Sequence, residues 1–172
     1  MMKRTPLFLL LSLAALLGLT SGANSLPAPT QARGKRPDAR VAKALDDLGL
    51  KYKVDSYGDY DLLIELDNNR RQVVTVESEV LRGKGAPPFR IVKSIAMLSA
   101  GALPAAVQSR LRRANGDYDP LEPWQVVKYK DGTAAEFQLF AEADCSDLED
   151  IIHNVAQDTD KMELEITGGD EF

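Results

Sequence analysis

Residues 146–162 constrain the fold most, because their apolar side chains recur at the spacing of an amphipathic α-helix. The apolar side of that helix comprises Leu148, Ile151, Ile152, Val155, Ala156, Thr159 and Met162. Ser146 followed by Glu149 predicts a capping box at the helix start. Burying about six large side chains contributes roughly 10–15 kcal/mol before ordering entropy is subtracted. The helix therefore needs a sheet or other helices to cover its apolar side.

The first residues of the chain have the composition of a secretory signal peptide. Lys3 and Arg4 precede 13 mostly apolar residues, 7–19, and small residues follow at 21–23. We expect cleavage between Ala23 and Asn24, so that residues 1–23 are a signal peptide and the protein is exported, periplasmic or extracellular. An uncleaved anchor is the alternative, but 13 helical residues span only about 20 Å, against roughly 30 Å of hydrocarbon. After cleavage we expect no membrane association.

Residues 24–172 carry an excess of acidic groups. With Lys3 and Arg4 removed, 19 basic and 26 acidic residues remain, a net charge of −7. Such a surface is a poor partner for nucleic acid, because phosphate binding depends on clustered Lys and Arg. Eleven of the acids follow residue 141, whereas the start of this region is basic. The imbalance is typical of a solvated surface; attraction between the two ends, or a basic partner, are the alternatives.

Cys145 is the only cysteine in the chain. Export would permit disulfides, but a single cysteine excludes a bridge within the chain. It can pair between chains or remain a free thiol. Since no recognisable catalytic motif surrounds it, we interpret Cys145 as a half-buried small residue.

The rest of the chain alternates between helix and strand patterns. Residues 24–37 are rich in Pro, Ala, Gly and Arg, which predicts a flexible linker. The predicted elements are a helix at 38–48, strands at 50–55, 60–66, 72–79 and 89–98, a helix at 104–114, and a hairpin at 124–129 and 134–140. Short turns make the strands antiparallel. The order α-β-β-β-(β)-α-β-β-α predicts one α+β domain at 38–166, with helices on one face of an antiparallel sheet, and an acidic tail at 167–172.

The residues that common catalytic and metal sites require are missing from the sequence. His153, the only histidine, falls on the polar side of its helix, and no G-x-S-x-G motif is present. One His and one Cys cannot supply the four ligands of a structural zinc site, and two acidic runs lack the glycine and glutamate of a calcium loop. We therefore expect no enzyme activity, no metal and no cofactor. Paired carboxylates for glycoside hydrolysis stay open, because such pairs leave no local pattern.

Aromatic side chains supply the candidate partner-binding residues. Tyr57, Tyr118 and Trp124 lie in turns or at a strand entrance, where they could contact a protein or peptide. The alternative is a place in the core, which aromatic residues of sheets take more often. A partner strand adding to an exposed sheet edge is the binding mode that such a fold most easily offers.

Four segments, in this order along the chain, resemble the YbjN family: residues 48–52, 60–66, 111–115 and 156–160. The family is described as regulators of bacterial sensory transduction. The resemblance implies the fold of type III secretion chaperones, which are small α+β proteins that often dimerise and bind extended peptides. It also implies no enzyme activity and no defined active site. Those chaperones act in the cytoplasm, whereas this chain carries a predicted export signal.

Together these observations favour an exported, non-enzymatic protein-binding or chaperone-like regulatory module. Its partner would be an unidentified protein or peptide, and a homodimer is open. Two alternatives remain. A small-ligand carrier would need an apolar pocket under the helices, and a hydrolase with paired carboxylates would need a deep cleft lined by at least two partly buried acids.

Overall fold

Three α-helices and six β-strands follow one another in the predicted order, in a computed structural model that describes residues 36–118 and 122–169. The elements are α1 Ala39–Asp47, β1 Tyr52–Val54, β2 Tyr60–Glu65, β3 Arg71–Val76, β4 Phe89–Ser99, α2 Ala105–Asn115, β5 Trp124–Tyr129, β6 Gly132–Glu142 and α3 Leu148–Thr167. The predicted signal peptide, its cleavage site at Ala23 and Asn24, most of the linker and the end of the acidic tail lie outside the described residues.

The six strands form one sheet in the order β1-β2-β3-β4-β6-β5, and every neighbouring pair is antiparallel. The predicted fourth extended segment is a full strand of 11 residues and pairs along its length with β6. β6 lies between β4 and β5, so the β5–β6 hairpin joins the rest of the sheet through its second strand, and its first strand is at the edge. This arrangement leaves β1 and β5 as the edge strands.

The β5–β6 hairpin turns within two residues, Lys130 and Asp131, and closes on the pair Tyr129 and Gly132. Gly132 has φ +157, and a Cβ atom on it would lie 2.2 Å from the carbonyl oxygen of Ser99. Only glycine fits at this close approach between the hairpin and the end of β4. The glycine in the predicted turn therefore serves packing between strands as well as the turn.

The core lies between one face of the sheet and the helices. Alternate residues of the strands enter it, as Tyr60, Leu62 and Ile64 do from β2. Each helix adds its apolar side: α1 contributes Val41 and Leu45, α2 contributes Val107, Leu111 and Ala114, and α3 contributes Leu148, Ile152, Val155, Ala156 and Met162. α3 packs over β3, β4 and β6. The protein is therefore of the α+β class, as the periodicities predicted.

The predicted capping box at the start of α3 is wrong. The helix begins at Leu148, and Ser146 instead donates its hydroxyl to the Glu142 carboxylate at 3.1 Å. The cause is the tight turn before the helix, in which Cys145 has φ +69 and donates its N–H to the carbonyl of Glu142. That turn folds Ser146 back onto the end of β6. At its other end α3 continues past the predicted Met162 to Thr167, where Gly168 with φ +73 ends it.

The guanidinium of Arg90, in β4, is fully buried and connects three parts of the fold. Its Nη2 donates to the carboxylate of Asp38 at 3.2 Å and to the carbonyl of Ala143 at 2.8 Å, and its Nη1 donates to the carbonyl of Glu77 at 3.1 Å. These acceptors lie at the start of α1, in the β6–α3 turn and just after β3. Arg90 therefore holds the first helix and two connections against the end of the sheet.

Candidate functional site: the open face of the sheet

The face of the sheet opposite the core is not covered by any described element. The register places alternate side chains of all six strands on it, which we call the open face: Lys53, Asp61, Leu63, Glu65, Arg71, Val73, Thr75, Phe89, Ile91, Lys93, Ile95, Leu98, Gln125, Val127, Tyr129, Ala134, Glu136, Gln138, Phe140 and Glu142. Several of the large apolar side chains on this face are exposed, including Leu63 at 52 %, Phe140 at 46 % and Val73 at 40 %. Antiparallel sheets commonly have one polar, solvated face, so the exposed apolar side chains make this face the candidate site.

A groove of about 560 Å³ runs along the β1 end of the open face. Its lining includes the apolar side chains Leu63 and Val73, two lysines, Lys51 and Lys53, and two acids, Asp61 and Glu65. Val73 also lines a second cavity of about 190 Å³, which continues the concave surface to Ile95 and Tyr129. The two depressions are therefore neighbours on one surface that crosses from β1 to β5.

A buried glutamate, Glu136, lines the second cavity. The Tyr129 hydroxyl donates a hydrogen bond to its Oε2, and Gln138 Nε2 donates to its Oε1 at 2.6 Å. Burial raises the pKa of Tyr129 well above its ordinary value, and the bond to Glu136 adds to this. Both carboxylate oxygens therefore have partners, so that Glu136 fixes Tyr129 across the face.

Lys93 brings a positive charge to the same region. Its Nζ is 2.7 Å from Glu77 Oε1, and its side chain is one-quarter exposed. Burial alone would lower the pKa of Lys93, but the hydrogen bond with Glu77 and the charges of Glu136 and Glu77 outweigh it and raise the pKa. The centre of the open face is thus a set of paired charges surrounded by apolar side chains.

The three aromatic residues predicted to bind a partner are not brought together. Trp124 is buried, and its ring packs on Phe137 at a centroid distance of 4.7 Å, so it takes the alternative place in the core. Tyr118 is half-buried, and its hydroxyl is 2.5 Å from Asp158 Oδ2. Burial is the main cause that raises the pKa of Tyr118, and the hydrogen bond to Asp158 adds to it. Tyr57 is 64 % exposed in the β1–β2 turn, at the opposite edge of the sheet.

The single histidine and the single cysteine are not part of the open face. His153 is exposed on α3, with Nδ1 3.0 Å from the carbonyl oxygen of Glu149. Cys145 is buried, and burial raises the pKa of its thiol. Among residues 36–118 and 122–169 no group of three or more His, Cys, Asp or Glu side chains could hold a metal ion. None of the helices in these ranges has the length and apolarity needed to cross a membrane.

Sequence reasoning missed the open face as a site, although a signal for it was present. Leu63 and Val73 are apolar, whereas the residues two positions before and after each of them, which point to the same face, are polar. A strand with apolar residues in both registers predicts two contacted faces. The pairing of Tyr129 with Glu136 had no such signal, because it depends on the register of the hairpin.

Fold and site define a class of protein: an α+β domain whose antiparallel sheet is covered by helices on one face and presents a partly apolar, grooved surface on the other. No protein-family model, no curated protein and no solved structure matches the chain.

Proposed function

We propose that the protein is a non-enzymatic module that binds an extended segment of another protein on the open face of its sheet. The observation that carries this proposal is the exposure of Leu63, Val73 and Phe140 on a sheet face that no described helix covers. The resemblance to the YbjN family and to type III secretion chaperones supports the same function, since those chaperones bind extended peptides. The predicted signal peptide makes the site of action periplasmic or extracellular.

An extended segment suits this surface better than a compact ligand. Successive side chains of an extended chain point in opposite directions, so every second residue would contact the sheet. The groove supplies the apolar side chains of Leu63 and Val73, and its lysines and acids can bond to backbone groups or to charges of either sign along the segment. Such a surface accepts many sequences that alternate between apolar and polar residues.

The acids near the cavities favour binding over hydrolysis. Asp61 accepts a hydrogen bond from Thr75 at 2.7 Å, and Glu77 is paired with Lys93. Glu136 is bonded through both oxygens. A hydrolytic pair needs one carboxylate as an acid and another directed at the substrate or its water. The partners of these acids instead favour a structural role on the binding surface.

The experiment measures the binding of fluorescent peptides with apolar residues at alternate positions, and of scrambled peptides of the same composition. We expect Leu63→Asp to weaken binding of the alternating peptides about ten- to a hundredfold, because it removes the burial of one leucine, worth roughly 1.5–3 kcal/mol. Val54→Asp is the matched control, since Val54 is 45 % exposed but points to the other face from β1. Equal losses for the two variants, or no difference between alternating and scrambled peptides, would contradict the proposal.

A further inference from the structure

The outer edge of β5 carries unpaired backbone groups in a defined pattern. The N–H of Gln138 donates to the carbonyl of Pro123 at 3.0 Å, in the register that continues the β5–β6 ladder. Bonded pairs recur at every second residue of an antiparallel ladder, so Gln125, Val127 and Tyr129 bond to β6. Trp124, Val126 and Lys128 therefore direct their N–H and C=O groups away from the sheet.

The first of these outward positions is already closed by a side chain. Asn115, the last residue of α2, accepts from the N–H of Trp124 at 2.8 Å and donates to its carbonyl at 3.0 Å. Its carboxamide thus occupies the place that a peptide group of a neighbouring strand would take. Val126 and Lys128 have no such partner among the described residues. The free edge therefore consists of four backbone groups placed symmetrically about Val127.

We propose that a second copy of this chain pairs with this edge, strand β5 against strand β5, about a two-fold axis at Val127. In this antiparallel register Val126 of each copy lies opposite Lys128 of the other, and all four free groups of each copy gain a partner. The next bonded pair would join Trp124 to Lys130. It cannot form, because Asn115 already bonds to the backbone of Trp124 and Lys130 lies in the hairpin turn. The pairing thus ends where the free edge ends.

The charges at the ends of β5 are complementary in the same arrangement. Glu122 precedes the strand, and Lys130 follows it in the turn, and both are exposed. Antiparallel pairing brings Glu122 of one copy to the same end of the paired strands as Lys130 of the other, and the two-fold axis repeats this pair. On the open-face side Val127 meets its own counterpart, and Gln125 meets Tyr129. A second copy therefore fits the edge in hydrogen bonds, charge and side-chain type.

This inference goes beyond the proposed function, because it concerns the backbone edge of β5 and not the groove at Leu63 and Val73. A dimer formed in this way would join two six-stranded sheets into one of twelve strands, with both open faces on the same side. A long segment could then contact both copies. Loss of the dimer and loss of peptide binding remain separately measurable, since Leu63 is in β2, near the edge of the sheet opposite β5.

The test is disulfide cross-linking of the purified full chain. In the proposed register Val127 faces its counterpart in a non-hydrogen-bonded pair, where Cα atoms are about 4.5 Å apart and a disulfide can form. We expect Val127→Cys to give a covalent dimer on mild oxidation with copper phenanthroline. Gln125→Cys is the matched control: it lies on the same strand and face, but its counterpart is about 13 Å away along the paired strands. The native protein reports the background from buried Cys145.

Light scattering on a second variant provides an independent measurement. Val126→Pro removes an N–H that points outward and leaves the ladder to β6 intact, as proline on an edge strand can. We expect a concentration-dependent dimer for the native chain and a monomer for this variant, with circular dichroism confirming its fold. A dimer that survives Val126→Pro, a native chain that stays monomeric, or equal cross-linking at positions 125 and 127 would overturn the proposal. If the proline variant fails to fold, the cross-linking comparison decides.

Discussion

Arg90 and Asp38, 52 positions apart in sequence, form a buried contact in which Nη2 lies 3.2 Å from Oδ2 and the arginine side chain is fully inaccessible to solvent. Asp38 also caps α1 by accepting the N–H of Arg40. One carboxylate thus starts the first helix and holds it against β4.

Replacing Arg90 should be the most destabilising change at this contact. In Arg90→Met the carbonyls of Ala143 and Glu77 lose their donor, and Asp38 loses one of its cationic partners. Breaking a buried pair in this way costs about 3–5 kcal/mol in the free energy of unfolding. Urea denaturation measures the loss. Arg40→Met is the control: Arg40 pairs with the same carboxylate but is mostly exposed, so we expect a loss of about 1 kcal/mol or less. Similar losses for both variants would contradict the role given to burial.

Stability should also depend on the ionisation of Asp38. The side-chain hydrogen bond from Arg40 holds the pKa of Asp38 well below its usual range, and bonds from the Arg40 backbone and Arg90 add to this against an opposing effect of burial. An unfolded Asp titrates near pH 3.9, as a rough reference. Because the folded pKa is lower, the stabilisation is fully present above the unfolded pKa and is lost as pH falls below it.

Urea denaturation between pH 7 and pH 2 tests this expectation. Asp38→Asn keeps a good helix cap but removes the charge. The free energy of unfolding of the native protein should exceed that of the variant at neutral pH, and the difference should shrink as pH falls below about 4. A difference that stays constant with pH would show that the charge of Asp38 does not contribute.

Much of the fold could be predicted from periodicity, because each element has one apolar side. The β2 alternation and the one-sided α3 pattern identified their buried residues, and the short turns implied an antiparallel sheet. The position of β6 between β4 and β5 could not be predicted, since nothing local in residues 132–142 favours one neighbour over the other.

Glu136 of the candidate site and several residues elsewhere in the fold were less predictable, because they behave unlike their type or depend on distant packing. Arginine and glutamate are normally exposed, yet Arg90 and Glu136 are buried. The Nη atoms of Arg90 bond to acceptors far away in sequence, and Glu136 bonds to the nearby Tyr129 and Gln138. The sequence allows Trp124 either on a binding surface or in the core, and the packing of its ring on Phe137 places it in the core. Ser146 had the right spacing for a cap, but the left-handed turn at Cys145 changed its partner.

Removing the Tyr129 hydroxyl should lower stability and change its dependence on alkaline pH. In Tyr129→Phe the buried carboxylate of Glu136 keeps only its bond from Gln138, which we expect to cost about 1–3 kcal/mol at pH 7. Tyr57→Phe is the control, because Tyr57 is exposed and its change should stay within about 0.5 kcal/mol.

The alkaline behaviour follows from the raised pKa of Tyr129. An unfolded tyrosine ionises near pH 10, whereas burial and the bond to Glu136 keep the folded hydroxyl neutral. Its stabilisation is present below the unfolded pKa and is lost as pH rises towards the folded one. Urea denaturation from pH 8 to pH 11 should therefore show a smaller loss for Tyr129→Phe than for the native protein. Parallel curves would contradict this assignment.

Gly132→Ala should be strongly destabilising although it adds a single methyl group. The new Cβ would lie 2.2 Å from the Ser99 carbonyl oxygen, and φ +157 is a conformation that L side chains rarely adopt. The hairpin must move away from the end of β4, which we expect to cost about 2–4 kcal/mol in the free energy of unfolding. Thermal denaturation measures this as a lower Tm. Gly116→Ala is the matched control, because Gly116 has φ −61 and no atom within 4 Å of the new Cβ. Alanine there should leave stability unchanged or raise it by a few tenths of a kcal/mol, so equal losses at the two positions would contradict the close approach at Gly132.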